Sequence, residues 1–135
     1  MLRIIIGVFM VLHGLVHLLY SGQSWRLFEL QPGMVWPDGS WALARLVRDE
    51  TIRILASIFM VLAAIGFVAG GAGILARQVW WRPVVLGSAA FSAIIVVLFW
   101  DGTLQKLNDQ GAIAILINLA ILVAVFVLRW PDFGF

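Results

Sequence analysis

The sequence predicts an all-α integral membrane protein: an antiparallel bundle of four helices with an amphipathic lid between helices 1 and 2. Hydrophobic residues make up 63% of the chain and charged residues only 12%, about half the charged share of a soluble domain. Four apolar runs of near membrane-spanning length can be read in the 135 residues. All seven tryptophans lie at the ends of these runs or between them, where an interfacial aromatic belt is expected.

The first predicted span covers residues 3–20 and carries two histidines. Between residues 4 and 20 the only polar side chains are those of His13, His17 and Tyr20, which share one stripe of the helix. Imidazoles facing acyl chains would leave ring nitrogens unpaired, at a cost of several kcal/mol by order of magnitude. The stripe is therefore expected to face the protein interior. Because the run is long and lacks an A-x-A-like exit, it is interpreted as a retained helix rather than a signal peptide.

Residues 21–50 form the longest connection and are predicted to fold as a lid at the membrane surface. The segment contains three tryptophans and is broken at Pro32 and Gly33. Its first part is expected to make two amphipathic turns, and Ser40 is expected to cap a short helix over 41–47. A segment of this length and composition is more typical of a folded element than of a linker.

Three further spans follow, and the whole chain is interpreted as one transmembrane domain, 1–135. Small residues on two of the spans predict close helix packing: Gly7 and Gly14 on the first, and the Gly66/Gly70 G-x-x-x-G pair on the second. Ser88 and Ser92 share a face of the third span. Asn108 or Asp109 is expected to cap the fourth. The three spans are predicted at about 52–76, 83–100 and 111–129.

The distribution of arginines predicts that both termini are cytoplasmic. With four spans, the termini share a side with the connection between spans 2 and 3. Arg3, Arg77, Arg82 and Arg129 all lie on that side, close to the span ends, where positive charge favours the cytoplasm. The small net charge of +2 and the dispersed basic residues do not suggest a nucleic acid partner. The absence of cysteine excludes disulfides and thiolate sites.

Depth along the predicted spans indicates one polar site near the lid side. His13, Ser57 and Asn118 each lie roughly 10 Å below that interface, and His17 lies one turn closer to it. Arg53 and Glu50 share a stripe with Ser57 and are expected at the mouth of the site, under the lid. The predicted ligand-binding residues are His13, His17, Glu50, Arg53, Ser57 and Asn118.

Three interpretations of the histidine pair remain open. Two histidines at i and i+4 can share a metal ion, line a pocket, or pack as a buried polar pair hydrogen-bonded to neighbouring helices. They cannot be the two opposite axial ligands of one haem, because both point the same way. No carboxylate at their depth is placed to complete a metal site or to orient a hydrolytic triad. Metal and haem are therefore disfavoured, and no residue is assigned a catalytic role.

The first span also carries a family resemblance. Arg3, Gly7 and the pair His13-Gly14, followed by an apolar stretch, resemble the opening helix of the DoxX-like family of small four-helix membrane proteins. The resemblance covers that helix and the overall plan. Some members of that family are membrane subunits of sulfur-compound:quinone oxidoreductases, and many have no assigned activity. The resemblance therefore implies a quinone or redox partner.

These observations predict a small membrane protein that is an accessory subunit or a binder of an apolar ligand, quinone or lipid. The alternative is a membrane subunit of a quinone-linked oxidoreductase that uses His13 and His17. Membrane lipids are expected partners, together with a larger membrane complex or further copies of the chain. A channel or transporter is disfavoured, because four spans leave little room for a pathway and no chain of buried charges is present.

Overall fold

The computed structural model describes residues 1–135 and contains four helices and no strand. Three of the helices are long and apolar enough to cross a membrane, which confirms the all-α class and three of the predicted membrane-length helices. The fourth apolar helix, Ala112–Val127, is shorter than the predicted span 111–129. The helices are α1 (Leu2–Ser24), α2 (Asp49–Leu75), α3 (Trp81–Leu98) and α4 (Ala112–Leu122), the last continued by a π-helical turn (Val123–Val127).

Helices that are consecutive in the chain pack against each other, whereas no Cα atom of α1 lies within 8 Å of one in α4. Gly7 near the start of α1 lies against Gly71 near the end of α2. Arg82 at the start of α3 donates hydrogen bonds to the carbonyl oxygens of Arg129 and Pro131, which follow α4. We call this end of the molecule the termini end and the opposite end the lid end.

The first helix continues one turn beyond the predicted end at residue 20, through Ser24. The polar side chains of this extra turn are buried and bonded to other segments. Gln23 Nε2 donates to the carbonyl oxygen of Met34 (3.1 Å), and Ser24 Oγ donates to that of Arg53 (2.7 Å). Polar residues that resemble the start of a loop in sequence are therefore helical, because the lid and α2 supply their partners.

The lid segment, residues 25–48, contains no helix. Residues 41–47 form hydrogen-bonded turns rather than the predicted short helix. Ser40 does act as expected of a cap: its Oγ accepts a hydrogen bond from the Leu43 N–H (3.2 Å). The same hydroxyl donates to the carbonyl oxygen of Leu98 (2.6 Å), which attaches the lid segment to the end of α3.

Cap positions differ from the predictions at α4. Gly111 precedes the helix with φ of 84°, and neither Asn108 nor Asp109 caps it. A left-handed residue at this position favours glycine, which lacks the Cβ atom that would clash. Pro83 lies in the first turn of α3, which begins at Trp81, where a backbone N–H would have no partner within the helix.

Two of the seven tryptophans are core residues rather than members of an exposed belt. Trp36 in the lid segment and Trp81 at the start of α3 are each 1% exposed. The Trp36 ring packs edge-on against Tyr20 and Phe99, with ring centroids 5.3 and 6.3 Å away. The lid segment is thus held by a buried aromatic anchor as well as by hydrogen bonds.

Candidate functional site

The two histidines lie one turn apart on α1, and both are buried against Phe67 of α2. His13 is 6% exposed and His17 is 3% exposed. The Phe67 ring lies 4.7 Å from the His13 ring and 5.2 Å from the His17 ring, centroid to centroid. Gly14 allows this approach, because a Cβ atom there would lie 3.0 Å from the Ala64 carbonyl oxygen. The prediction that the histidine stripe faces the protein interior is confirmed by this burial.

A continuous chain of hydrogen bonds links the histidines to α3 and α4. His13 Nε2 lies 3.0 Å from Asn118 Oδ1, and Asn118 Nδ2 donates to Ser92 Oγ (2.8 Å). Ser92 Oγ in turn lies 2.7 Å from His17 Nε2. His17 Nδ1 completes the chain with the carbonyl oxygen of His13 (2.9 Å). We call these four residues the histidine network.

The chemistry of the partners determines the direction of each bond. The His13 carbonyl oxygen can only accept, so His17 Nδ1 carries a proton. With His17 neutral, Nε2 then accepts the Ser92 hydroxyl proton, and Ser92 accepts from the Asn118 amide. Asn118 Oδ1 is left to accept from His13 Nε2. All four bonds are satisfied with both imidazoles neutral, and no bond lies between two donors.

This arrangement joins three helices, α1, α3 and α4. The Asn118 amide stands between the histidines, and an amide does not readily pass a proton onward, so the network is not a proton relay. No group of three or more His, Cys, Asp or Glu side chains is placed to hold a metal ion. The interpretation that the geometry favours is a buried polar pair bonded to neighbouring helices, with pocket lining on one side.

Only three of the six predicted site residues meet. Ser57 pairs instead with Ser21, Oγ to Oγ at 2.6 Å, and Glu50 is exposed at the start of α2. Arg53 binds Asp38 of the lid segment through Nε (2.7 Å) and Nη2 (2.5 Å). Equal depth along a helix does not ensure contact, because each of these side chains points towards a nearer partner.

Ser92 is the network member that sequence reasoning missed. It is completely buried and contacts both His17 and Asn118. The sequence signal was the shared face of Ser88 and Ser92, but that signal did not distinguish them. Ser88 Oγ donates to the carbonyl oxygen of Val84 in its own helix, as serines in membrane helices often do.

The lid end contains a second polar feature, the indole nitrogen of Trp36. Trp36 Nε1 is the one fully buried side-chain nitrogen or oxygen without a hydrogen-bond partner. Trp36 lines a small chamber of about 10 Å³ above His17, and an apolar cavity of about 250 Å³ between α3 and α4 shares Val96 and Gln110 with it. The chamber is also lined by Val16, His17, Tyr20, Met60, Gly111 and Ala114. We call it the lid chamber.

An ion cluster holds the lid segment over this chamber. Asp38 lies 2.9 Å from Arg26 Nη2 and also binds Arg53, so one carboxylate bridges the residues after α1 and the start of α2. Arg26 additionally donates to the carbonyl oxygens of Trp36 (2.9 Å) and Val35 (2.7 Å). Partial burial raises the pKa of the Asp38 carboxyl, but the hydrogen bond from Arg53 and the two guanidinium charges outweigh it and hold that pKa below its ordinary value.

No protein-family model, no curated protein and no solved structure matches this chain. The resemblance of the first helix to DoxX-like proteins therefore stays a prediction.

Proposed function

We propose that the protein is an integral membrane protein whose four helices cross the cell membrane as an antiparallel bundle, with both termini in the cytoplasm. Three helices have the required length and composition. The outward side of α1 supports the same placement, because Leu12, Leu15 and Leu19 are each about half exposed. The arginines of the termini end support the orientation.

Cysteine labelling tests this placement, since the natural chain has no cysteine. Leu46 of the lid segment and Val79 of the termini end are 77% and 74% exposed and make a matched pair. In intact cells a membrane-impermeant maleimide should label Leu46→Cys and should label Val79→Cys only after lysis. The reverse pattern would contradict the orientation, and equal labelling would contradict membrane crossing.

We further propose that the protein binds an apolar ligand under the lid, through a hydrogen-bond acceptor oxygen that the ligand places in the lid chamber. The observation that carries this proposal is the unpartnered Trp36 Nε1. A buried donor without an acceptor costs about 1–3 kcal/mol, so a bound acceptor at this position would recover that free energy. The lid chamber has the volume of about one water-sized group, which a single oxygen atom fits.

The ligand class follows from the apolar cavity that shares Val96 and Gln110 with the lid chamber. The adjoining cavity is lined almost wholly by apolar side chains, so it suits an apolar body rather than a charged one. Quinones and ester lipids both combine an apolar body with a carbonyl oxygen. Of the two we favour a quinone, because its carbonyl is attached directly to a flat ring that Trp100, the aromatic side chain lining the adjoining cavity, can contact.

Two tryptophan variants test the proposal in the full chain purified in mild detergent. Trp36→Phe keeps a six-membered aromatic ring and removes the N–H donor together with the five-membered ring that carries it. Trp25→Phe makes the same change at a half-exposed tryptophan of the lid segment. A short-tailed ubiquinone analogue should bind about tenfold more weakly to Trp36→Phe than to the natural protein or to Trp25→Phe.

Equal affinity of all three proteins for the quinone would overturn the proposal and leave water as the occupant of the lid chamber. Phosphatidylcholine in place of the quinone separates the two ligand sources, since only an ester-lipid site would bind it with the same dependence on Trp36. Mass spectrometry of co-purifying molecules provides the complementary test. A stoichiometric second polypeptide would favour the accessory-subunit function over an independent binder.

A further inference from the structure

The gap between α1 and α4 at the termini end is a groove unrelated to the lid chamber. Its volume is about 400 Å³, and every side chain that lines it is apolar, including Phe9 of α1 and Ile117 and Ala120 of α4. The histidine network lies beside its inner end, because Phe9 stacks on His13 with ring centroids 6.0 Å apart and Ile117 precedes Asn118. We call it the α1–α4 groove.

A second concavity at the termini end carries two arginines. Arg3 and Arg77 line one concavity of about 420 Å³, together with Phe133 and Phe135. Arg3 lies one turn before Ile6, which lines the groove, on the same face of α1. Phe133 and Phe135 pack against the cluster that contains Ile6, so the two spaces are neighbours at the termini end. Neither guanidinium makes an ion pair or a side-chain hydrogen bond, whereas Arg26 and Arg53 share the carboxylate of Asp38.

The distance along α1 from the arginine end to the histidines matches the thickness of half a bilayer. From Arg3 to His13 the helix rises roughly 15 Å, which is the depth of one leaflet of a hydrocarbon core about 30 Å thick. A charged head at the arginines would therefore stand at the membrane boundary, and a chain in the groove would reach the bilayer middle. The Asp132 carboxylate, next to Phe133 in the chain, accepts the Gly134 N–H and makes no ion pair with either arginine.

We propose that this site binds one anionic phospholipid, with its phosphate between Arg3 and Arg77 and one acyl chain in the α1–α4 groove. The two arginines favour a negatively charged lipid headgroup, and the apolar walls of the groove favour an acyl chain. The inference depends on the proposed membrane placement but not on the ligand of the lid chamber. Its occupant enters from the leaflet at the termini end, which is the cytoplasmic leaflet in the proposed orientation.

Native mass spectrometry tests the recognition of the lipid headgroup. The full chain in detergent is given equimolar phosphatidylglycerol and phosphatidylcholine. The natural protein should retain phosphatidylglycerol preferentially. Arg3→Gln and Arg77→Gln should each lower that preference about fivefold, and the double variant should lower it about 25-fold. Arg45→Gln/Arg48→Gln is the matched control, because both arginines are exposed in the lid segment. An undiminished preference in the Arg3/Arg77 double variant would overturn the proposal.

A second pair of variants tests the acyl chain. Ala120→Trp fills the groove, and Ala72→Trp makes the same change at an exposed position of α2 outside it. The affinity for phosphatidylglycerol should fall about tenfold in Ala120→Trp and stay unchanged in Ala72→Trp. Binding that survives in Ala120→Trp and is displaced by millimolar inorganic phosphate would show a free-phosphate site instead and would overturn the lipid proposal.

The two proposals fail separately. Trp36→Phe should leave phosphatidylglycerol binding unchanged, and the Arg3/Arg77 double variant should leave the affinity for the short-tailed quinone unchanged. Loss of lipid binding in Trp36→Phe would overturn the independence of the two sites.

Discussion

The two sides of α1 are built differently. Towards α2 the helix backbones touch: a Cβ atom on Gly71 would lie 2.7 Å from the Gly7 carbonyl oxygen and 2.9 Å from the Val11 nitrogen. Towards α4 the backbones stay apart, and the His13–Asn118 hydrogen bond crosses the gap. Glycine therefore determines where two helices close up, and long polar side chains span the side where a groove remains.

The difference also explains why the two sides suit different roles. Close backbone packing provides dispersion contacts but leaves no volume for a ligand. The α4 side retains volume at both ends of the histidine network, in the lid chamber and in the α1–α4 groove. The hydrogen bonds of the network fix the distance between α1 and α4, and the space on either side of the network stays open.

The largest effect is expected from closing the glycine contact. Gly71→Ala should lower the free energy of unfolding by about 2–3 kcal/mol, because the new methyl group meets backbone atoms that cannot rotate away. Gly87→Ala is the control: it lies within α3 and a Cβ atom there meets nothing within 4 Å, so the change should be neutral or slightly stabilising. Thermal unfolding in detergent measures both. Similar melting temperatures for the two variants would contradict close packing of α1 on α2.

A smaller effect is expected on the α4 side. Asn118→Leu leaves His13 Nε2 and Ser92 Oγ without their partner, at a cost of about 1–2 kcal/mol. The only other asparagine, Asn108, is exposed, and Asn108→Leu should change stability by less than about 0.5 kcal/mol.

Adding His13→Leu to Asn118→Leu should restore part of the loss, because two apolar partners replace one orphaned donor. The same thermal measurement applies. Additive losses in the double variant would show that the two side chains do not interact.

The smallest effect is expected at the ion cluster, in which Asp38 of the lid segment binds Arg26, after α1, and Arg53 of α2. Asp38→Asn should cost less than about 1 kcal/mol, since the three side chains are partly exposed. The pKa of Asp38 is held below its ordinary value, so its contribution is present above pH about 4 and is lost as the pH falls through the lower folded value.

The natural protein should therefore lose more stability than Asp38→Asn between pH 5 and pH 3, and proteolysis of the lid segment should rise with it. Asp132→Asn, which changes an exposed carboxylate at the termini end, should retain the natural pH dependence. A natural-like pH profile in Asp38→Asn would rule out the ion cluster as its source.

Small residues were predicted to pack helices, but their partners depend on the tertiary structure. Gly7 and Gly14 face α2. The Gly66/Gly70 pair faces α3 instead, where Cβ atoms would meet Ser88 and Val85. A motif of two glycines defines a flat surface on one helix, and nothing local to it specifies which helix will cover that surface.

By itself the sequence determined the helical class, the three membrane-length helices and the inward direction of His13 and His17, because each depends on the free energy of apolar or polar groups along one helix. Only the tertiary structure decided that Asn118 and Ser92 join them while Ser57 pairs with Ser21 and Arg53 with Asp38. Depth along an axis follows from counting residues. The rotation of one helix against another depends on the side chains of both helices. Their combined contacts exist only once the helices are packed.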